Sequence, residues 1–231
     1  MKAVVMAGGL GTRMRPLLAP PINKHLMPVA GMPLIFHPLA LLARSGVTEV
    51  LILLNGEHPE LLLKTIGDGS QFGLQVLYRY LPETHGASVG LHLNLAKVWT
   101  RGEPFLLILG DGYYQLEYIP QLSRKLYAPH IWAMPLDAQW DDPKKYALVP
   151  NESKWVQTGL WLFDDRVFAS ICTLEKAGGE IRIRHIVEHL HTTQQAVTFT
   201  KLPTRSYIDC GTPEAIAQVN ALEYKGRYPN E

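Results

Sequence analysis

Short apolar runs alternate with helix-like segments along the chain. Ala3–Ala7 reads as a strand and runs into the glycine loop Gly8–Gly11. Pro33–Arg44 spaces Leu34, Pro38, Leu41 and Leu42 as a helix does, and Ser45-Gly46 ends it. Glu49–Asn55 and Phe105–Leu109 are continuous apolar runs, the pattern of strands buried on both faces. Leu74–Tyr80, His130–Leu136, Leu160–Phe163 and Val197–Leu202 read as further strands. Pro59–Ile66, Ser88–Val98, Arg166–Leu174, Ile183–His191 and Pro213–Tyr224 read as helices, the first of them stopped by Gly67-Asp68-Gly69. Strands alternating with helices predict an α/β fold around a mixed, mostly parallel sheet. No repeat or linker divides the chain, so one domain over 1–231 is expected. Gln139–Gln157, with Trp140, Asp141, Asp142 and Pro143, is the expected excursion from the sheet.

Composition narrows the class without naming it. Of 231 residues, 47% are hydrophobic and 19% charged, as in ordinary globular proteins. The net charge of +1 gives no bulk attraction to nucleic acid or to a membrane surface, so any phosphate ligand needs a local site. The apolar start Met1–Met6 ends at Gly8-Gly9, too soon for a secretory signal. No run approaches the ~20 apolar residues of a membrane helix. Cys172 and Cys210 lie far apart in no metal-like spacing and read as reduced thiols. A cytoplasmic protein is therefore expected, with oligomerisation, including a homo-oligomer, left open.

The chemistry begins at Ala7-Gly8-Gly9-Leu10-Gly11-Thr12-Arg13. A glycine turn beyond a strand's carboxyl end aims backbone amides at phosphate. The dinucleotide fingerprint fails, because Met14 stands where its third glycine belongs, and the P-loop fails for want of Gly-Lys-Ser/Thr. What remains is Gly-Gly-x-Gly-Thr-Arg followed by Lys24. A planar guanidinium and a point-charge ammonium together suit a triphosphate. Asp111, directly after a buried strand, is placed either as a turn residue or as a ligand-crevice carboxylate. Asp209 reads either as a cap for the helix opening near Pro213 or as a second carboxylate. Glu180, after Gly178-Gly179, is at least a first-turn carboxylate favoured by a helix dipole.

The loop, Arg13 and Ile22-Asn23-Lys24-His25-Leu26-Met27-Pro28 together resemble the sugar-phosphate nucleotidylyltransferases, most closely the glucose-1-phosphate thymidylyltransferase branch in a shortened form. The resemblance continues through Gly67–Leu74, Leu109-Gly110-Asp111, Thr158-Gly159-Leu160 and Asp209-Cys210-Gly211-Thr212-Pro213. It implies a Rossmann-like, GT-A-like three-layer sandwich, with 1–112 as the nucleotide-binding half and 113–231 as the sugar-phosphate half. It implies an NTP and a sugar 1-phosphate as substrates, with Arg13, Lys24 and Asp111 as catalytic groups. Met6, Gly8, Gly9, Gly11, Thr12, Gly86 and Ser88 would hold the nucleotide, and Tyr146, Thr158, Gly159 and Glu180 the sugar phosphate. Asp111 and Asp209 would hold Mg²⁺.

The pattern also breaks. Leu81 stands where these enzymes place a base-reading Gln, and leucine can neither donate nor accept a hydrogen bond. This leaves UTP, CTP and GTP open beside dTTP. Gly112 replaces the usual Asn, Ala147 a Gly, and Arg184-His185 a Thr-Asp. No Glu-Lys-Pro hairpin follows Tyr146, so the lysine that resemblance would set on the sugar phosphate is missing, with Lys154 the nearest candidate substitute and a surface role its simpler reading. A degenerate homologue that binds nucleotide without turnover is the rival reading from another class.

Overall fold

The computed structural model describes residues 1–8, 11–14, 23–54, 58–80, 89–122, 126–137, 146–193 and 197–227. The strands among them are β1 (Lys2–Ala7), β2 (Pro28–Val29), β3 (Met32–Pro33), β4 (Glu49–Leu54), β5 (Gln75–Tyr80), β6 (Phe105–Leu109), β7 (Gly112–Tyr114), β8 (His130–Pro135), β9 (Trp155–Phe163), β10 (Thr198–Lys201) and β11 (Tyr207–Asp209). The helices are α1 (Phe36–Arg44), α2 (Pro59–Ile66), α3 (Val89–Asn94), α4 (Lys97–Thr100), α5 (Arg166–Ala177), α6 (Ile183–Thr192) and α7 (Pro213–Arg227).

One seven-stranded sheet runs in the order β10-β8-β9-β6-β1-β4-β5. β9 is antiparallel to both neighbours, and the other pairings are parallel. The alternation of side chains along a strand explains the layers. Ala3, Val5 and Ala7 of β1 join a core with Leu39 and Leu42 of α1 and Leu62 of α2. Val4 and Met6 join the opposite core with Leu93 of α3, Ile171 of α5 and Ile186 of α6. Helices therefore cover both faces, as a sheet of doubly apolar strands requires. Among the described residues no helix is long and apolar enough to cross a membrane.

Several elements differ from expectation, among them α1, which starts at Phe36 rather than Pro33, and the short pair β2–β3, not expected as strands. The helix expected over Ser88–Val98 is divided into α3 and α4, because the Leu95 and Ala96 amides close tight turns on the His92 and Leu93 carbonyls (3.0 and 2.9 Å). β9 starts at Trp155, five residues before the strand expected from Leu160, because polar residues occupy its first half. The antiparallel pair β7–β11 was not expected as strands. A third core seals it against α7, with Met14, Tyr113, Ile208, Cys210 and Val219. The Tyr113 hydroxyl donates to the Glu223 carboxylate of α7.

His130 on β8 is buried between two hydroxyls, Nδ1 2.7 Å from Thr198 Oγ1 and Nε2 2.9 Å from Thr200 Oγ1 of β10. Burial pushes its pKa down to about 4. An unfolded chain takes up a proton near pH 6.5 that the folded chain refuses until about pH 4. The stabilisation from neutral His130 is thus complete above pH 6.5 and lost as pH falls from there towards 4. Replacing His130 by Gln is expected to flatten the fall of stability over that window by at most one proton's worth, ~1.4 kcal/mol per pH unit. Urea denaturation at several pH values measures the slope, and an unchanged slope refutes this account.

Candidate active site

The carboxyl ends of β1 and β6 open on a cavity of about 370 Å³. Its volume is that of a small-molecule site. β1 delivers Met6 and then Gly8 to its wall, and β6 delivers Leu109 and then Asp111. The Gly110 amide donates to the Met6 carbonyl at 2.9 Å, which ties the two strand ends together. Arg13 sits in a 3-10 turn, Thr12–Met14, opened by the Met14 amide on the Gly11 carbonyl (2.7 Å). Lys24 opens a second 3-10 turn, Lys24–Leu26, which Asn23 caps by accepting from the His25 amide.

Two carboxylates stand side by side here. Asp209 pairs with Gly112 across the β7–β11 ladder, and the Cys210 amide donates to the Asp111 carbonyl at 3.0 Å. Lys24 Nζ donates to Asp111 Oδ2 at 2.6 Å. Burial pushes the Asp111 carboxyl up, but the Lys24 charge and the Lys24 hydrogen bond outweigh it and hold the group below the usual carboxylate range. Asp209 goes the other way. Burial and the Asp111 charge push it up, against the Gly211 amide (2.9 Å to Oδ1), Arg13 and Lys24. Arg13 lies close by, since a Cβ on Gly211 would stand 2.9 Å from both Arg13 Nη2 and Asp209 Oδ1. His25, fully buried beside this group, is pushed down to about 3 by burial and the Lys24 charge and is neutral.

Of the residues expected from the sequence, Met6, Gly8, Arg13, Lys24, Asp111, Tyr146, Gly159, Glu180 and Asp209 line this one cavity. Gly11 shapes the turn that carries Arg13. Gly9, Gly86 and Ser88 lie outside the described residues, as do the Thr12 side chain and Leu81. Thr158 is placed differently from the sequence reading. Successive residues of a strand point to opposite faces, so Thr158 and Gly159 cannot both present side chains to the cavity. Gln157, Gly159 and Trp161 line it, whereas Thr158 is buried with its hydroxyl on the Trp132 carbonyl (2.7 Å), beside the irregular β8–β9 register.

The cavity also gathers His92, Gln157, Trp161, Arg182, Ile183 and Tyr207, which sequence reasoning passed over, and Ala147 and Arg184, which it noted only as departures from the family pattern. Gln157 accepts from Trp161 Nε1 (2.8 Å) and donates to the Leu148 carbonyl (2.8 Å), so the pair forms a fixed wall. The period-two run Gln157-x-Gly159-x-Trp161 was the available signal. Lys154 is exposed and is not part of the cavity lining. Its stretch folds back on itself: the Val149 amide donates to the Trp155 carbonyl (2.9 Å) and the Gln157 amide to Ala147 (2.8 Å).

Tyr146 and Tyr207 line the cavity, and Tyr114 packs against Tyr207. The ring distances from Tyr207 to Tyr114 and Tyr146 are 5.1 and 6.0 Å, and the Tyr114 hydroxyl donates to the Gly159 carbonyl at 3.0 Å. Burial pushes the Tyr114 and Tyr207 phenols far up, with the aspartate charges adding to it, so both stay neutral. These rings explain Gly112. A Cβ there would stand 2.5 Å from Tyr207 Cε2 and 2.8 Å from Tyr114 Cε2. No larger residue fits unless the rings move. Gly112→Ala is therefore expected to cost about 1–3 kcal/mol, read from urea denaturation. Wild-type stability in that variant contradicts the packing described.

Comparisons with known proteins agree with this geometry. The family model described as Nucleotidyl transferase matches residues 2–149. A glucose-1-phosphate thymidylyltransferase of Neisseria gonorrhoeae is 27% identical over 240 residues, 94% of this chain and 80% of that protein. Its counterpart in Neisseria meningitidis is 29% identical over 79% of this chain and 68% of its own. Among solved structures, a Bacillus anthracis protein described as a glucose-1-phosphate thymidylyltransferase, in complex with sucrose, superposes with a TM-score of 0.82 at 26% identity, covering 96% of this chain and 95% of that one. The inositol-1-phosphate CTP transferase of T. maritima shares the fold, with a TM-score of 0.77 at 17% identity. The family model spans well over half of the chain, which therefore belongs to the nucleotidyl transferase family.

Proposed function

We propose that the chain transfers a nucleotidyl group from a nucleoside triphosphate, dTTP or UTP by preference, to a sugar 1-phosphate, giving an NDP-sugar and pyrophosphate. The observation that carries this reading is the convergence of Arg13, Lys24, Asp111 and Asp209 on one cavity beyond β1 and β6. The preference for dTTP or UTP rests on similarity to the thymidylyltransferases.

The reaction joins two anions. An oxygen of the sugar phosphate attacks the α-phosphorus, the bond to the β-phosphate oxygen breaks in line, and pyrophosphate carries the charge away. The attacking oxygen is already anionic, so no general base is needed. Catalysis reduces to holding the reactants together and offsetting charge. Arg13 presents a fork of donors suited to the leaving phosphates, beside the amides of the glycine loop. Lys24, held in the cavity by Asp111, supplies a compact charge for the reacting phosphates. The neutral His25 and tyrosines contribute no competing proton chemistry.

The residues present fit Mg²⁺. Among the described residues no cluster of three or more His, Cys, Asp or Glu forms a metal cage. Mg²⁺ asks for less, one or two carboxylates with phosphate oxygens and water. Asp111 and Asp209 are adjacent oxygen donors, and their mutual repulsion is what a divalent cation offsets. Bound there, the ion would supply Lewis-acid neutralisation of the phosphates.

Asp111→Asn is the informative variant. Truncation to Ala would also leave Lys24 without its hydrogen-bond acceptor, whereas Asn removes the charge but keeps the shape and an acceptor oxygen. It is expected to lower Mg²⁺-dependent pyrophosphate release by a hundredfold or more, on the order of the loss when one electrostatic stabiliser is removed. The assay runs over the four NTPs and dTTP with several sugar 1-phosphates. Release of no pyrophosphate by the wild-type chain in any combination overturns the reading in favour of a nucleotide-binding homologue.

A further inference from the structure

The proposed reaction needs a cation for each of two polyanions, and the first half of the chain commits its own. Lys24 is paired with Asp111, and Arg13 lies against Asp209 and Gly211. The same cavity is lined also by Arg182 and Arg184. They come from the segment Ile181-Arg182-Ile183-Arg184, in which both isoleucines are buried and both arginines exposed. The segment is seated firmly. The Gly90 amide of α3 donates to the Ile181 carbonyl at 3.1 Å, and a Cβ on Gly90 would stand 2.6 Å from Ile181 Cγ2.

The two arginines are not equivalent. Arg182 donates from Nε and Nη2 to Glu180 Oε2 at 2.9 and 2.8 Å, so its charge is matched. Arg184 hydrogen-bonds the His185 ring, Nε to Nε2 at 3.3 Å, and among the described residues no carboxylate is in ion-pair contact with it, Glu180 feeling its charge only at longer range. A guanidinium that lines a ligand cavity without a counter-ion is a receptor for a planar or tetrahedral oxyanion. The helix behind it adds little to this, because the Arg182 amide at its start already donates to His185 Nδ1 at 3.3 Å. Lys154, the other cation that sequence reasoning considered, is outside the cavity.

We propose that Arg184 anchors the phosphate of the sugar 1-phosphate, with the Glu180–Arg182 pair fixing the rim beside it and Gln157 and Trp161 forming the wall against which the sugar ring lies. The inference rests on the function proposed above for the same cavity. It assigns the phosphomonoester of the acceptor, rather than the triphosphate, to a guanidinium from the second half of the chain.

The test separates the two statements. Calorimetric titration of glucose 1-phosphate, glucose and dTTP into the full chain with Mg²⁺ compares wild type, Arg184→Gln, Arg184→Lys and Lys154→Gln. Arg184→Gln is expected to weaken glucose 1-phosphate binding at least tenfold while changing dTTP affinity less than twofold. Arg184→Lys should recover part of the loss, and Lys154→Gln should bind as wild type does. In turnover the same Gln variant should raise KM for the sugar phosphate more than it lowers kcat. Equal loss of dTTP binding, or unchanged glucose 1-phosphate binding in Arg184→Gln, overturns the assignment, as does a wild-type chain that binds no sugar phosphate. Intact binding of both substrates without pyrophosphate release leaves the anchor standing and refutes catalysis alone.

Discussion

Asp209 ends the short β7–β11 ladder opposite Gly112, and Asp111 stands directly before that glycine, both largely removed from water. Like charges so placed repel, and the surroundings are arranged around that repulsion. Lys24 closes on Asp111 and fixes its ionised state, while Asp209 takes a backbone amide from Gly211 and the neighbourhood of Arg13. The β2–β3 hairpin, the 3-10 turn that carries Lys24 and the packing of α7 under β7 hold these groups at this separation. A buried ion pair of this kind is weak as a source of stability, since desolvation offsets its attraction. Its value lies in keeping four charged groups aimed at one space.

How much of this was legible depended on what each residue had to satisfy. β6 and α2 matched their expected bounds, because a continuous apolar run or a capped amphipathic turn has few alternatives. β9 hid its first half, because Gln157 and Thr158 look like loop residues until their partners, Trp161 and the Trp132 carbonyl, are known. Arg13, Lys24, Asp111 and Asp209 were readable from motifs set at strand ends. Arg184 was not, since its meaning comes from a cavity shared with residues more than 150 positions earlier. Thr158 was misplaced because a motif was carried over as a block, and a strand divides any such block between two faces.

The glycine at 112 shows why a departure from a family pattern need not weaken a site. Tyr114 and Tyr207 fill the space that an amide side chain would take, and the Tyr114 hydroxyl then secures the Gly159 backbone. The change at one position is compensated by two rings brought in from elsewhere in the chain. A comparison by single positions misses this, and packing shows it.

The lining of the cavity is also drawn from different stretches of chain. Met6, Gly8, Arg13, Lys24 and Asp111 come from the first half, whereas Gln157, Trp161, Arg182 and Arg184 come from the second, with β9 inserted against the direction of its neighbours. Under the proposed function, such a division would let new acceptors be explored through a single strand and a single helix start, apart from Arg13, Lys24 and Asp111 of the first half.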